Sequence, residues 1–103
     1  MSYDIDGAIR RIPHHPKPGI LFYDPMPLFE DPAGLAACVD GIAVWARERG
    51  VDVVLGAEAR GFILGGAIAR ELGVGFACAR KPGKLPYETI RREYDLEYGT
   101  DVL

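Results

Sequence analysis

Two short apolar runs, Val51 to Leu55 (broken only by Asp52) and Val74 to Ala79, flank a stretch in which Phe62, Ile63, Ala67, Ile68 and Leu72 recur at helical spacing. Runs of that length suit strands covered on both faces, and the spacing between them suits an amphipathic helix. Strand, crossover helix and strand join as a right-handed unit with parallel strands. The chain is thereby committed to an α/β architecture. Between the first run and the helix lie Gly56, Ala57, Glu58, Ala59, Arg60 and Gly61, a turn at a strand's carboxyl end. Unpaired N–H groups at a helix start, together with the helix dipole, favour an anion there, and Arg60 adds a forked donor. On these residues alone the turn reads equally as an ordinary connection whose glycines relieve crowding.

The remaining segments can be read the same way. Apolar residues at 5, 8, 9 and 12 predict a short helix from Ile5 to Ile12, and Pro13 to Gly19 must be loop. Ile20 to Tyr23 reads as a short buried strand, broken by Asp24, Pro25, Met26 and Pro27. Asp31 before Pro32 marks a helix start, Leu35, Val39, Ile42, Ala43 and Ala46 form its apolar stripe, and Gly50 ends it. Gly65 and Gly66 inside the second long helix predict close approach to a neighbour, and Gly73 its end. From Lys84 onward, tyrosines and isoleucine interleave with charges, as in an exposed hairpin or flap.

With 103 residues, 49% hydrophobic and 26% charged, the chain has the composition of a globular domain with a modest core. No apolar run approaches the ~20 residues of a membrane span, and Met1 to Gly7 carries no signal-like region, so a cytoplasmic location without membrane contact is expected. A net charge of −3 argues against nucleic acid as a partner. The cations nevertheless cluster at Arg80, Lys81, Lys84, Arg91 and Arg92, either a local anion site or a solvated loop. Cys38 and Cys78 read as two buried, reduced thiols. His14 and His15 lack further ligands at metal-site spacing and read as exposed loop residues.

Four segments occur in order: Lys17 to Asp24 (KPGILFYD), Glu58 to Phe62 (EARGF), Arg80 to Pro86 (RKPGKLP) and Tyr94 to Gly99 (YDLEYG). Together they resemble the adenine phosphoribosyltransferases, from about Ile9 to Leu103. The resemblance implies the N-terminal part of a type I phosphoribosyltransferase fold, a parallel sheet with flanking helices plus a hood hairpin. Within it, residues 1–32 would be a base-binding segment, 33–82 the helix and βαβ core, and 83–103 the hood. It also implies a reaction in which adenine and phosphoribosyl pyrophosphate give AMP and pyrophosphate for purine salvage. Mg2+ would ride mainly on the donor, and a homodimer is expected. The family's acidic pair and Ala-Thr-Gly-Gly-Thr phosphate loop would follow Leu103, so the sequence reads as a truncated copy with impaired activity. The alternatives are a non-catalytic purine- or nucleotide-binding module and an inactive fragment.

The resemblance also assigns residues. Glu58, Ala59 and Arg60 match the pyrophosphate-binding loop, and Arg80 and Lys84 would reach the same anion. Leu21, Phe22 and Tyr23 match the segment that stacks on adenine and reads its edge, although Phe22 alone could be core. Glu97 and Tyr98 match the hood, with Glu97 placed to manage the N9 proton and Tyr98 to shed water; Glu97 and Arg60 are the candidate catalytic groups. One departure is local. Asp24-Pro25-Met26-Pro27-Leu28 replaces the family's hydroxyl-bearing version of that turn, which would weaken base binding.

Overall fold

The computed structural model describes residues 2–86, 88–91, 93–96 and 99–102. The chain divides into two compact units, Met1–Ile42 and Ala43–Leu103.

The first unit opens with a single-turn helix, α1 (Ile5–Ala8), capped by the Asp4 carboxylate, which accepts the Gly7 N–H at 3.0 Å. The helix expected to run to Ile12 stops there. Ile9 is extended, and Arg10–Pro13 instead forms β1, paired antiparallel with β2 (Leu21–Asp24) in the register Ile12 to Phe22. A few residues of helix with a costly nucleus lose to a ladder that satisfies four residues at once, and Pro13 at the strand end gives up no needed donor. β2 is also more open than a buried strand, with Leu21 48% and Tyr23 59% exposed, because a two-stranded ribbon leaves alternate side chains to solvent.

The short helix α2 (Met26–Glu30) comes next, its first turn anchored by the Met26 N–H bond to Asp24 Oδ1. Asp31 then starts α3 (Pro32–Arg47) as expected: Oδ1 accepts the Ala33 N–H and the carbonyl accepts that of Leu35. Its other oxygen accepts the Tyr3 hydroxyl at 2.6 Å, and this bond to a carboxylate raises the phenol's pKa. Leu28 and Cys38 are buried within this unit, and burial pushes the Cys38 thiol up.

In the second unit, Ala43 and Ala46 of α3 are buried, and Gly50 closes the turn three residues beyond the helix end. The expected βαβ unit is present as β3 (Val53–Ala57), α4 (Arg60–Leu72) and β4 (Gly75–Ala79), with β3 and β4 parallel and Leu55 opposite Ala77. Gly73 ends α4 in the left-handed region at φ 73°, its N–H bonded to the carbonyls of Ala69 and Arg70. Gly65 is where α4 meets the sheet: an added Cβ would lie 2.4 Å from Phe76 Cε1. Gly66 is different, with nothing within 4 Å, so close approach involves one glycine and not two.

The strands are covered on one face, not both. Val53 and Leu55 are 55% and 68% exposed, since α4 covers the side of Val54, Gly56 and Phe76 and strand alternation turns the others away. Cys78, opposite Gly56 and on the same side as Phe76, is nevertheless exposed, correcting the expectation of two buried thiols, although both cysteines are free. β5 (Glu93–Leu96) and β6 (Gly99–Val102) form the antiparallel hairpin expected after Lys84.

Candidate functional site

The parallel register of β3 and β4 ends both strands side by side, Ala57 opposite Ala79. A further bond from the Glu58 N–H to the Ala79 carbonyl, at 2.9 Å, carries the pairing one step past the strands. Glu58 and Arg80 therefore leave the sheet together. In open α/β sheets this carboxyl edge is where ligands bind.

Glu58 organises the loop that leaves β4. Its side chain is 10% exposed, and Oε1 accepts a short hydrogen bond from the Lys81 backbone N–H. Oε2 accepts from Lys84 Nζ at 3.0 Å, and Arg80 Nε stands 3.7 Å from Oε1. The Lys81 N–H, together with Lys84 and Arg80, holds the carboxyl pKa below its ordinary value against the opposing effect of burial. The loop itself turns through Gly83 at φ 83°, with the Lys84 N–H on the Lys81 carbonyl. Arg80 is braced from its other side, its guanidinium carbon 5.8 Å from the centroid of Phe62, whose ring meets Phe76 edge-on at 5.9 Å.

On the β3 side the Glu58–Ala59 peptide is cis, and α4 begins directly after it at Arg60. Ala59, at the N-cap, has no side-chain acceptor to offer, so the first N–H groups of a 13-residue helix are left without a side-chain cap. Beyond β4 a cleft of about 1000 Å³ is lined by Leu55, Arg80, Lys81, Leu85, Ile90 and Arg91, among others. Cations converging beside a helix start and an apolar wall suit a compact polyanion carrying a less polar group.

The structure thus brings together Glu58, Arg80 and Lys84, with Ala59 and Arg60 at the adjoining helix start. Leu21, Phe22 and Tyr23 belong to β2 of the first unit, where Phe22 meets His15 edge-on at 4.9 Å and Tyr23 lies under the Arg11 guanidinium at 5.4 Å. Glu97 and Tyr98 lie outside the described residues. The Lys81 N–H and the Phe62 brace were not foreseen. The signal for the first was available: in a parallel pair, residues just after each strand must meet.

No family model matches the chain. It is 55% identical over 100 residues to the adenine phosphoribosyltransferase of Parvibaculum lavamentivorans, an alignment covering 97% of this chain and 57% of the relative. Among solved structures, the APRTase of Giardia lamblia complexed with 9-deazaadenine matches with a TM-score of 0.91 at 38% identity, over 99% of this chain and 57% of that one. The adenine phosphoribosyltransferase of Thermoanaerobacter pseudethanolicus matches at 0.87 and 45% identity, over 96% and 58%. The chain therefore spans a little over half the length of the relatives it matches.

Proposed function

Because the chain belongs, over the stretch it spans, to the adenine phosphoribosyltransferase family, we propose that it contributes the adenine- and pyrophosphate-recognising portion of that reaction. Adenine N9 would displace pyrophosphate from the anomeric carbon of phosphoribosyl pyrophosphate, giving AMP. The observation that carries this is the cationic loop tied to the carboxyl ends of β3 and β4 in a chain 55% identical to an adenine phosphoribosyltransferase.

Such a displacement passes through a ribosyl-cation-like state while charge builds on the departing diphosphate, as in glycoside chemistry. Arg80 and Lys84, held by Glu58, would be pre-placed donors for that charge, joined by Arg60 and the first N–H groups of α4 at the adjoining helix start. Phe22 would offer a face for the purine, with the β2 backbone near Leu21 and Tyr23 reading its edge. A flat, uncharged recognition of that kind separates an amine from a carbonyl by donor and acceptor pattern. Glu97 would take up the N9 proton and Tyr98 would help exclude water.

Mg2+ would enter with the donor. Among the described residues no group of three or more His, Cys, Asp or Glu side chains is arranged to hold a metal, and both Glu58 oxygens are engaged by nitrogen donors. That donor set fits an ion held by substrate oxygens and water. A homodimer and a cytoplasmic setting are part of the same reading; among the described residues no helix is long and apolar enough to cross a membrane.

The test is calorimetry with adenine, with inorganic pyrophosphate and with phosphoribosyl pyrophosphate, alongside an assay for AMP. Binding of both the base and the diphosphate, with Arg60→Ala reducing only the latter, is expected. Absence of any binding would sink the reading. Binding of adenine without pyrophosphate or phosphoribosyl pyrophosphate favours a purine-binding module, the second reading, which would need only the aromatic β2 segment.

A further inference from the structure

We infer that Glu58 is a positioning residue for the diphosphate site: its carboxylate holds Arg80 and the Lys81–Lys84 loop in place and does not itself touch the ligand. This rests on the proposed anion-binding role of the loop and refines it.

The geometry is specific. A carboxylate meant for direct contact with an anionic substrate, or with its metal, needs an oxygen facing the ligand. Here Oε1 is taken by the Lys81 N–H with Arg80 Nε at 3.7 Å, Oε2 is taken by Lys84 Nζ, and the side chain is 10% exposed. The three contacts fall on consecutive features of one loop, a guanidinium, a backbone N–H and an ammonium, so one carboxylate fixes the loop's start, its path and its far end.

Arg80 shows the consequence most clearly. Its Nε is fully covered and makes no hydrogen bond, while the side chain as a whole is 35% exposed. Nε is turned inward toward Glu58, and the exposure is carried by the rest of the side chain. A guanidinium held edge-in against a carboxylate and braced on Phe62 keeps its outer donors pre-aimed, which lowers the ordering cost of binding. Lys84, half exposed at the opposite end of the loop, is held the same way from one side only.

Two effects of Glu58 oppose each other. Its negative charge beside the cations weakens their pull on an anion, while its hydrogen bonds order them. The exposed ends of Arg80 and Lys84 are screened by water, whereas the Lys81 bond is partly buried, so ordering outweighs the charge.

The experiment compares Glu58→Asp, Glu58→Gln and Glu58→Ala with the parent chain, using inorganic pyrophosphate as the calorimetric probe and amide hydrogen exchange at Lys81 as the reporter of the loop. Circular dichroism checks that each variant is folded. Asp keeps the charge but is one methylene too short to span Lys81 and Lys84, so it should bind pyrophosphate roughly tenfold more weakly, as should Ala. Gln keeps the length and an acceptor for the Lys81 N–H and should restore its protection and part of the affinity. An Asp variant that binds like the parent, or an Ala variant that binds more tightly, overturns the inference. So does weaker binding with Lys81 exchange unchanged, since Glu58 would then act on the ligand directly. If the parent chain ignores pyrophosphate, the functional reading fails, and the exchange rates still decide whether Glu58 orders the loop: faster at Lys81 in Asp and Ala than in Gln supports it, and equal rates reject it.

Discussion

Gly65 and Gly66 are neighbours on α4, yet a methyl group added to each should move stability in opposite directions. At Gly65 the new Cβ would sit 2.4 Å from Phe76 Cε1, so that ring, 38% exposed but also close to Gly56 and edge-on to Phe62, would have to shift. Overpacking of this kind costs about 1–3 kcal/mol. At Gly66 nothing lies within 4 Å, and replacing a mid-helix glycine by alanine gains up to about 1 kcal/mol. Urea denaturation of Gly65→Ala and Gly66→Ala should therefore show midpoints on either side of the parent, and shifts of the same sign would contradict the packing described. Glu58 gives a second expectation at this scale. Its folded pKa is depressed, chiefly by the Lys81 N–H, so its contribution to stability is present above the unfolded carboxylate pKa and is lost as pH falls through the folded one. The melting-temperature difference between the parent and Glu58→Gln should hold steady near neutrality and shrink only in acid, below the ordinary glutamate range. A difference that instead changes around pH 7 would mean another group controls the loop.

At the scale of elements, β3 and β4 show an apolar face whose exposure has a direct test. Leu55 is 68% exposed and Val53 55%, with no polar partner to lose, so Leu55→Glu should leave far-UV circular dichroism unchanged and move stability by no more than about 0.5 kcal/mol. It should also lower the fluorescence of an apolar dye bound to the protein. A loss of several kcal/mol would show that Leu55 is packed in solution. The same strands show what the sequence could and could not disclose. Their existence, parallel pairing and connecting helix came from apolar runs and spacing, and Asp31 and Gly73 marked helix boundaries because a cap is a local device. The face that would be covered was not legible, since a continuous apolar run looks the same whether one side or both is packed, and it does not show how far cover extends along a strand, as the exposed Cys78 beside Gly56 illustrates. Ile5 to Ile12 failed because the competitor was a ladder with residues ten to fourteen positions away, outside any helical window. Within the candidate site, the cations were visible as a run at Arg80 to Lys84, but their tie to Glu58 spans 22 to 26 residues and emerges only once the two strand ends are placed side by side.

At the scale of the whole chain, binding and turnover should separate. The 103 residues carry a cationic loop, an aromatic strand and a hairpin, and do not include the Ala-Thr-Gly-Gly-Thr phosphate loop that the resemblance implies for the ribose 5′-phosphate. Binding energy from parts of a substrate remote from the reacting bond is what normally supports alignment and exclusion of water at that bond. The 103-residue polypeptide should therefore bind inorganic pyrophosphate while forming AMP roughly a hundredfold or more slowly than the same residues joined to the part of the Parvibaculum lavamentivorans relative they do not align with. The comparison is made at equal protein concentration and at two ionic strengths. Raising salt should weaken pyrophosphate binding in both, because Lys84 is half exposed and its field is screened over about 10 Å at 0.1 M. If the short and extended chains make AMP at the same rate, the fixed cations of one loop suffice for catalysis, and binding energy from the remote phosphate contributes nothing to the chemical step at this site.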